Sequence, residues 1–383
     1  MAQRPLIGLP FNYDENWIGG VYYIKNVLSA LALLPPTQQP DVRVVCHEEK
    51  SWAFLADASH YPRLSWQTPA SLAPAATVPA RIRWRLERLL PAIFGRRGDF
   101  DVIFPSPLSA ADDRTVCWIP DFQDKHLPEY FSADELTARE NQHRLYFTHF
   151  RHVLFSSHAA REDFERFYPE ARVNRHVVHF AVFNRPATVD ATDDVRAVYQ
   201  LPAHFAYCPN QFWVHKDHAT AIRAIAALRE RGHELTLVCS GKEHDHRVPD
   251  HPASLRRLAD ELGVAAQIRF VGFVSKAHQE ALLREAALIV QPSRFEGWST
   301  TVEDAKSISQ YVVASDIAPH REQLDCNASF FKTGDPLALA DALEPFASQA
   351  PARQTIDYSI NQRRFADEFI AMIHAVIDSR RRA

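Results

Sequence analysis

Apolar residues recur along this chain in two rhythms. PLIGLPF, DVRVVCHE, DVIFPS, RTVCWIP and RHVLFSS in the first half are short runs of aliphatic and β-branched residues, each closed by polar or proline punctuation. HFAYCPN, ELTLVCSG, QIRFVGF, AALIVQPS and QYVVASD repeat the pattern in the second half. Nearly continuous runs of this kind predict strands buried on both faces. Between them, VYYIKNVLSALALL, HATAIRAIAALRERG and KAHQEALLREA carry their apolar residues at helical spacing. Strands alternating with helices predict parallel, doubly wound sheets. Two such sets predict an α/β protein of two Rossmann-like domains facing each other across a cleft. The seam is expected within residues 182–200, a proline- and aspartate-marked stretch, which puts the first domain at 1–185 and the second at 186–364. The last segment, NQRRFADEFIAMIHAVIDS, predicts a helix with Phe365, Phe369, Met372, Ile373 and Val376 on one side. It is expected to pack back on the first domain, completing it with residues 365–383.

Composition narrows the class. At 383 residues the chain exceeds what one hydrophobic core usually serves, in keeping with two domains. Its net charge of −4 gives no reason to expect a nucleic-acid partner. Five scattered cysteines form no zinc-like spacing, and four sit in or beside apolar runs, so reduced thiols and a cytoplasmic compartment are expected. The N-terminus lacks the apolar core of a signal peptide, and no stretch is long enough to span a bilayer.

The stretch RFEGWSTTVEDAK, residues 294–306, follows a predicted strand, turns at Gly297 and enters a predicted helix. A helix start offers unpaired N–H groups and a positive dipole end, so amides around Ser299, Thr300 and Thr301 can hold an anion such as phosphate. Glu296 stands just before the turn as a hydrogen-bond acceptor, with Trp298 beside it. An acid further into the helix, Glu303 or Asp304, can accept two hydroxyls, as a ribose offers. A capped helix, with Ser299 or Thr300 at its N-cap and Glu303 completing a capping box, explains the hydroxyls and one acid but neither Glu296 nor Trp298.

The layout P-S-x-x-E-G followed by an acid and alanine, ending in VVASD, resembles the motif of retaining GT-B glycosyltransferases of family 4. That resemblance implies a GT-B fold and transfer of a sugar from a nucleotide-diphosphate donor to an acceptor hydroxyl. It assigns Glu296 to the donor sugar's hydroxyls. The amides from Gly297 through Thr301, with Trp298 among them, are assigned to the diphosphate. The ribose goes to Asp304 by register, with Glu303 one place early. Gly19 and Gly20 in WIGGVYYIKNVLSAL are similar to the family's glycine-rich loop, whose backbone approaches the donor phosphate. In YCPNQFWVHKDHATAIRAI, Lys216 takes the place of the family's diphosphate-binding lysine, and Asn210 stands where many relatives have an arginine. Val271, Gly272 and Phe273 in FVGFVSKAHQEALL would border the nucleobase. Asp121 and His126 in CWIPDFQDKHLPEYFS are the polar groups expected near the donor sugar or acceptor, and Ser156 and Ser157 in FSSHAAREDFERF are expected helix caps.

The implied catalytic set is Glu296, Lys216, Asp121 and His126, with no metal and no cofactor beyond the donor. The implied activity is a metal-independent, retaining hexosyltransferase acting in bacterial surface polysaccharide or lipid-linked oligosaccharide synthesis. A non-catalytic nucleotide-sugar-binding subunit and a GT-B sugar-nucleotide epimerase are the alternatives. The acceptor would be a glycan or a lipid-linked oligosaccharide. Residues 80–98 carry six arginines interleaved with Trp84 and aliphatic residues, a pattern that suits either peripheral contact with the inner face of the plasma membrane or an inward-packed surface helix.

Overall fold

The computed structural model describes residues 4–14, 18–68, 100–106, 112–183 and 194–382. The basic segment at 80–98 and part of the expected seam therefore lie outside the described residues. The chain divides into two compact units. One comprises Met1–Phe122, Asp134–Phe183 and Ser359–Ala383, and the other Gln123–Ala133 and Asn184–Tyr358. Residues 123–133 thus go with the second unit, whereas the expected boundary at 185/186 leaves them in the first. The Arg247 guanidinium lies 4.1 Å from the centre of the Phe131 ring, and the His126 ring lies 5.0 Å from that of Phe295.

In the first unit, β1 (Leu6–Pro10), β2 (Asp41–Val45), β3 (Leu64–Gln67) and β4 (Val102–Ile103) form a parallel sheet in the order β3-β2-β1-β4. A parallel bridge from Ile103 to Thr115 leads to a second parallel sheet, β5-β6-β7, made of Val116–Ile119, His152–Phe155 and Asn174–Val177. Helix Ile18–Leu31 follows β1, and Gly19 and Gly20 sit in its first turn rather than in a loop before it. The C-terminal helix, Ser359–Arg381, buries Phe365, Phe369, Met372, Ile373 and Val376 in this unit, the face its periodicity predicts. The Phe369 ring meets that of Phe104 edge-on at 5.2 Å. Each such side chain contributes roughly 1.5–3 kcal/mol of transfer free energy when fully buried. Ser157 caps helix His158–Phe167 by accepting from the Ala160 amide at 3.0 Å. Ser156, also expected as a cap, instead accepts from the Trp118 indole at 3.0 Å.

The second unit is a six-stranded sheet in the order β10-β9-β8-β11-β12-β13, parallel throughout. Its strands are β8 (Phe205–Pro209), β9 (Thr236–Ser240), β10 (Ile268–Gly272), β11 (Leu288–Gln291), β12 (Val312–Ser315) and β13 (Ala328–Phe331). Strands β8, β11 and β12 are buried along their whole length, which is why they read as unbroken apolar runs. Two apolar clusters cover the two faces of this sheet. Helix His218–Glu230 supplies Ile222, Ile225 and Leu228 to one, and Leu282, Leu283, Val302 and Ala305 belong to the other. The chain order reverses between β8 and β11. In open α/β sheets that reversal leaves a crevice beyond the carboxyl ends of the two strands, where ligands bind.

Candidate active site

Both strand ends at the reversal run directly into the residues that the sequence singles out. After β8, Asn210 is buried and the chain makes a short 3-10 turn, Val214–Lys216. Asp217 then takes a left-handed conformation (φ 51°) and caps helix His218–Glu230, its carboxylate accepting from the Thr220 amide at 3.3 Å and hydroxyl at 2.8 Å. After β11, Pro292 and Ser293 lead through Glu296 and Gly297 to the N-cap Ser299 and helix Thr300–Ser307. The two loops are tied together. The Arg294 amide donates to the His215 carbonyl at 2.8 Å, and the Arg294 guanidinium to Asp217 at 3.0 Å.

Glu296 is buried, and its Oε1 accepts from Lys216 Nζ at 2.6 Å and from Gln291 Nε2 at 2.9 Å. Burial by itself pushes this carboxyl up. The touching Lys216 ammonium, with help from His320 and His215, outweighs it and holds the group below its ordinary value of 4.5. His215 is pushed down to about 3 by burial and by its neighbour Lys216. His320, fully buried, is also lowered by burial despite the attraction of Glu296. Its Nδ1 contacts the Ser315 carbonyl at 2.9 Å, while its Nε2 has no hydrogen-bond partner among the described residues.

Helix Thr300–Ser307 starts as an anion site would require. The amides of Thr300 and Thr301 open it and have no carbonyl one turn back to bind. Ser299 is the N-cap, accepting from the Val302 amide at 3.3 Å. The capping box is not formed, because with Ser299 as cap the third helical residue is Val302 and Glu303 comes one place too late. Glu303 is fully buried and sealed on both oxygens, by Gln323 at 2.9 Å and Lys306 at 3.4 Å on one and by the Tyr358 hydroxyl at 2.6 Å on the other. Asp304 is turned elsewhere, one oxygen lying 3.2 Å from Lys276 Nζ. The Ser299 amide, expected among the anion donors, donates at 2.9 Å to Gln323, which returns a bond to the Ser299 carbonyl at 3.0 Å. Trp298 is buried, and the Thr301 hydroxyl donates to the Pro209 carbonyl at 3.2 Å, stitching this helix to β8.

The remaining expected residues are distributed as follows. Val271 packs against one of the apolar clusters, Gly272 takes a left-handed conformation (φ 69°), and Phe273 projects from the surface, 79% exposed. Gly19, Gly20 and Asp121 belong to the first unit, where Asp121 lies 3.8 Å from an Arg139 nitrogen. His126 belongs to the second, its ring against Phe295, the neighbour of Glu296. Gln291, Gln323, Tyr358 and Lys276 were not singled out from the sequence. Each acts through a partner distant in the chain or through a burial that no local pattern announces.

The model of the family described as glycosyl transferases group 1 matches residues 203–363, the stretch that carries this constellation. That stretch is similar to the group 1 glycosyl transferases. EpsD of Bacillus subtilis (strain 168) is 30% identical over 141 residues, 36% of this chain and 34% of its own. LpcC of Rhizobium leguminosarum bv. viciae, a lipopolysaccharide core biosynthesis mannosyltransferase, is 29% identical over 180 residues, 45% of this chain and 49% of its own. The chain thus spans between about a third and a half of the length of these curated relatives. The crystal structure of HepE from Anabaena in complex with UDP and glucose superposes with a TM-score of 0.62 at 14% identity, covering 98% of each chain. At that identity the likeness shows a shared fold, that of the GT-B glycosyltransferases. Among the described residues, no helix is long and apolar enough to cross a membrane.

Proposed function

We propose that this protein is a retaining glycosyltransferase that moves a hexose from a nucleotide-diphosphate sugar to an acceptor hydroxyl without a metal ion. The observation that carries the reading is the meeting of Lys216, Glu296 and the start of helix Thr300–Ser307 at the point where the strand order of one sheet reverses. Lys216 and the amides of Thr300 and Thr301 neutralise the departing diphosphate, and Glu296 orients the sugar through its hydroxyls. Asp304 takes the ribose, since both oxygens of Glu303 are already engaged. Val271, Gly272 and Phe273 border the base. Gly19, Gly20, Asp121 and His126 complete the assignment on the phosphate and acceptor sides.

In this route the acceptor oxygen attacks the anomeric carbon on the face from which the diphosphate leaves. The bond from that carbon to the phosphate oxygen breaks and a new carbon–oxygen bond forms. The acceptor proton passes to a phosphate oxygen, so no carboxylate base is needed, and attack on the leaving-group face needs no carboxylate nucleophile. Catalysis rests on charge stabilisation of the leaving group and on orientation. A glycan or lipid-linked acceptor, in the building of a bacterial surface polysaccharide at the inner face of the plasma membrane, is supported by the kinship with LpcC.

HepE was crystallised with UDP, so UDP and UDP-sugars are the first probes, followed by GDP- and dTDP-sugars. The expected result is a raised melting temperature with one nucleoside diphosphate and its release from the matching sugar nucleotide, with the product keeping the donor's anomeric configuration. Binding without release across a broad set of acceptors would leave a non-catalytic binding subunit instead. Inversion at the anomeric carbon would refute the retaining route.

A further inference from the structure

Gln291 is the last residue of β11 and has no solvent exposure. Its Oε1 accepts from Asn210 Nδ2 at 2.8 Å, across the point where the sheet order reverses. Its Nε2 faces three oxygens, Glu296 Oε1 at 2.9 Å, Ser293 Oγ at 3.1 Å and Ser299 Oγ at 3.2 Å. The surroundings fix which way round the amide sits. Turned over, it would aim its carbonyl oxygen at the Glu296 carboxylate and its NH2 at the NH2 of Asn210, two repulsive contacts in place of two bonds. With two hydrogens for three oxygens, the ionised carboxylate is the strongest of the acceptors.

We propose that Gln291 is a positioning residue that holds the Glu296 carboxylate in its working orientation, and that Asn210 serves chiefly to hold Gln291. The inference rests on the proposed role of Glu296 toward the donor sugar. Lys216 cannot fix that orientation alone, because an ammonium is a flexible point charge that a bound diphosphate would also attract. Once the phosphate draws Lys216 away, the Gln291 amide is what keeps Oε1 from swinging. The buried amide pair thus does for Glu296 what no surface group can, since it is enclosed by the ends of β8 and β11 and by the cap of the next helix. Asn210 accordingly lies behind the carboxylate as a support, rather than standing among the phosphate contacts.

The test uses Gln291→Glu in the full chain. This change keeps the shape and the acceptor for Asn210 but removes the donor to Glu296. Three quantities are read for wild type and variant. They are the affinity for the nucleoside diphosphate that stabilises the wild type most among UDP, GDP and dTDP, turnover of the matching sugar nucleotide, and the acid limb of the pH profile. The positively charged or titratable groups facing Glu296 are Lys216, His215 and His320. The expected result is nucleotide affinity within twofold of wild type, turnover down at least tenfold and an acid limb moved to higher pH. Equal turnover with an unmoved limb overturns the role. Should the variant fail to melt cooperatively, Gln291→Met, which adds no charge, carries the same comparison with the same expected and overturning results. A wild type that neither binds nor turns over any of the three nucleotide classes would refute the functional reading itself, which a failed variant beside an active wild type would not.

Discussion

Removing the Lys216 ammonium would leave a buried carboxylate held, among the described residues, by the Gln291 amide. Breaking one side of such a pair costs about 3 kcal/mol when the remaining charge stays buried. Lys216→Ala is therefore expected to lower the urea midpoint visibly as well as to weaken nucleotide binding. Glu296→Ala strands the Lys216 ammonium instead, but at 16% side-chain exposure and on a flexible stem that charge can reach water, so the fold should persist at a smaller cost while transfer is abolished. Retained turnover above about a tenth of wild type, a barrier change of only ~1.4 kcal/mol, would contradict the role given to Glu296. The titrations at this site also have a sign. His215, lowered to about 3, gives stability that is fully present above the unfolded value of 6.5 and is lost as pH falls from there toward 3. Glu296, lowered as well, contributes above its ordinary 4.5 and loses that contribution only as pH falls through its folded value. Between pH 7.5 and 5 the histidine alone of the two acts, at about 1.4 kcal/mol per pH unit below 6.5. Urea melts at pH 7.5 and 5 should show lower stability at the acid end, and His215→Gln should shrink the difference; an unchanged difference would contradict the assignment. Glu296 and Lys216 were singled out because each follows a predicted strand at the place where the resemblance to family 4 glycosyltransferases puts a donor-binding group, and the fold brings the two into contact. Gln291, Gln323 and Tyr358 were not, because a glutamine or tyrosine at the end of a run looks the same whether it meets solvent or a partner 24 or 55 residues away.

At the scale of elements, most strands the sequence announces are largely buried; β10, a half-buried edge strand read from QIRFVGF, is an exception. Three others, β3, β7 and β13, escaped the apolar pattern. Each lies at the edge of its sheet, and their sequences LSWQ, NRHV and ASFF are largely half-buried or exposed. An edge strand has a neighbour on one side only, so polar residues are tolerated there and the run is too short to stand out. The glycine pair behaved differently. Its position after β1 was legible, yet Gly19 and Gly20 form the first turn of a helix, where the amides themselves point outward. Backbone proximity decides another element. A methyl group on Gly241, just after β9, would stand 2.3 Å from the Asn210 carbonyl oxygen, which is backbone and cannot rotate away. Gly241→Ala should therefore displace the loop after β8, cost about 1–3 kcal/mol of stability and weaken nucleotide binding in the same protein. Wild-type melting and wild-type affinity in that variant would show the close approach to be dispensable.

At the scale of the molecule, the alternation of strands and helices was enough to place the chain among doubly wound α/β proteins, and the order 3-2-1-4-5-6 of the second sheet puts Lys216 and Glu296, the residues proposed for the donor, just beyond its reversal. What the pattern could not provide was the allocation of residues 123–133, which depends on ring and guanidinium contacts of His126 and Phe131. A route driven by an ammonium and a helix start predicts that sugar-nucleotide turnover persists in EDTA; loss that added magnesium or manganese restores would contradict the metal-independent scheme. The most direct measurement is a crystal structure of the protein with its preferred sugar nucleotide. The diphosphate is expected within hydrogen-bond reach of Lys216 Nζ and of the Thr300 and Thr301 amides, with the Glu296 carboxylate on the hexose hydroxyls. A diphosphate bound away from that helix start, with Glu296 turned from the sugar, would contradict that assignment.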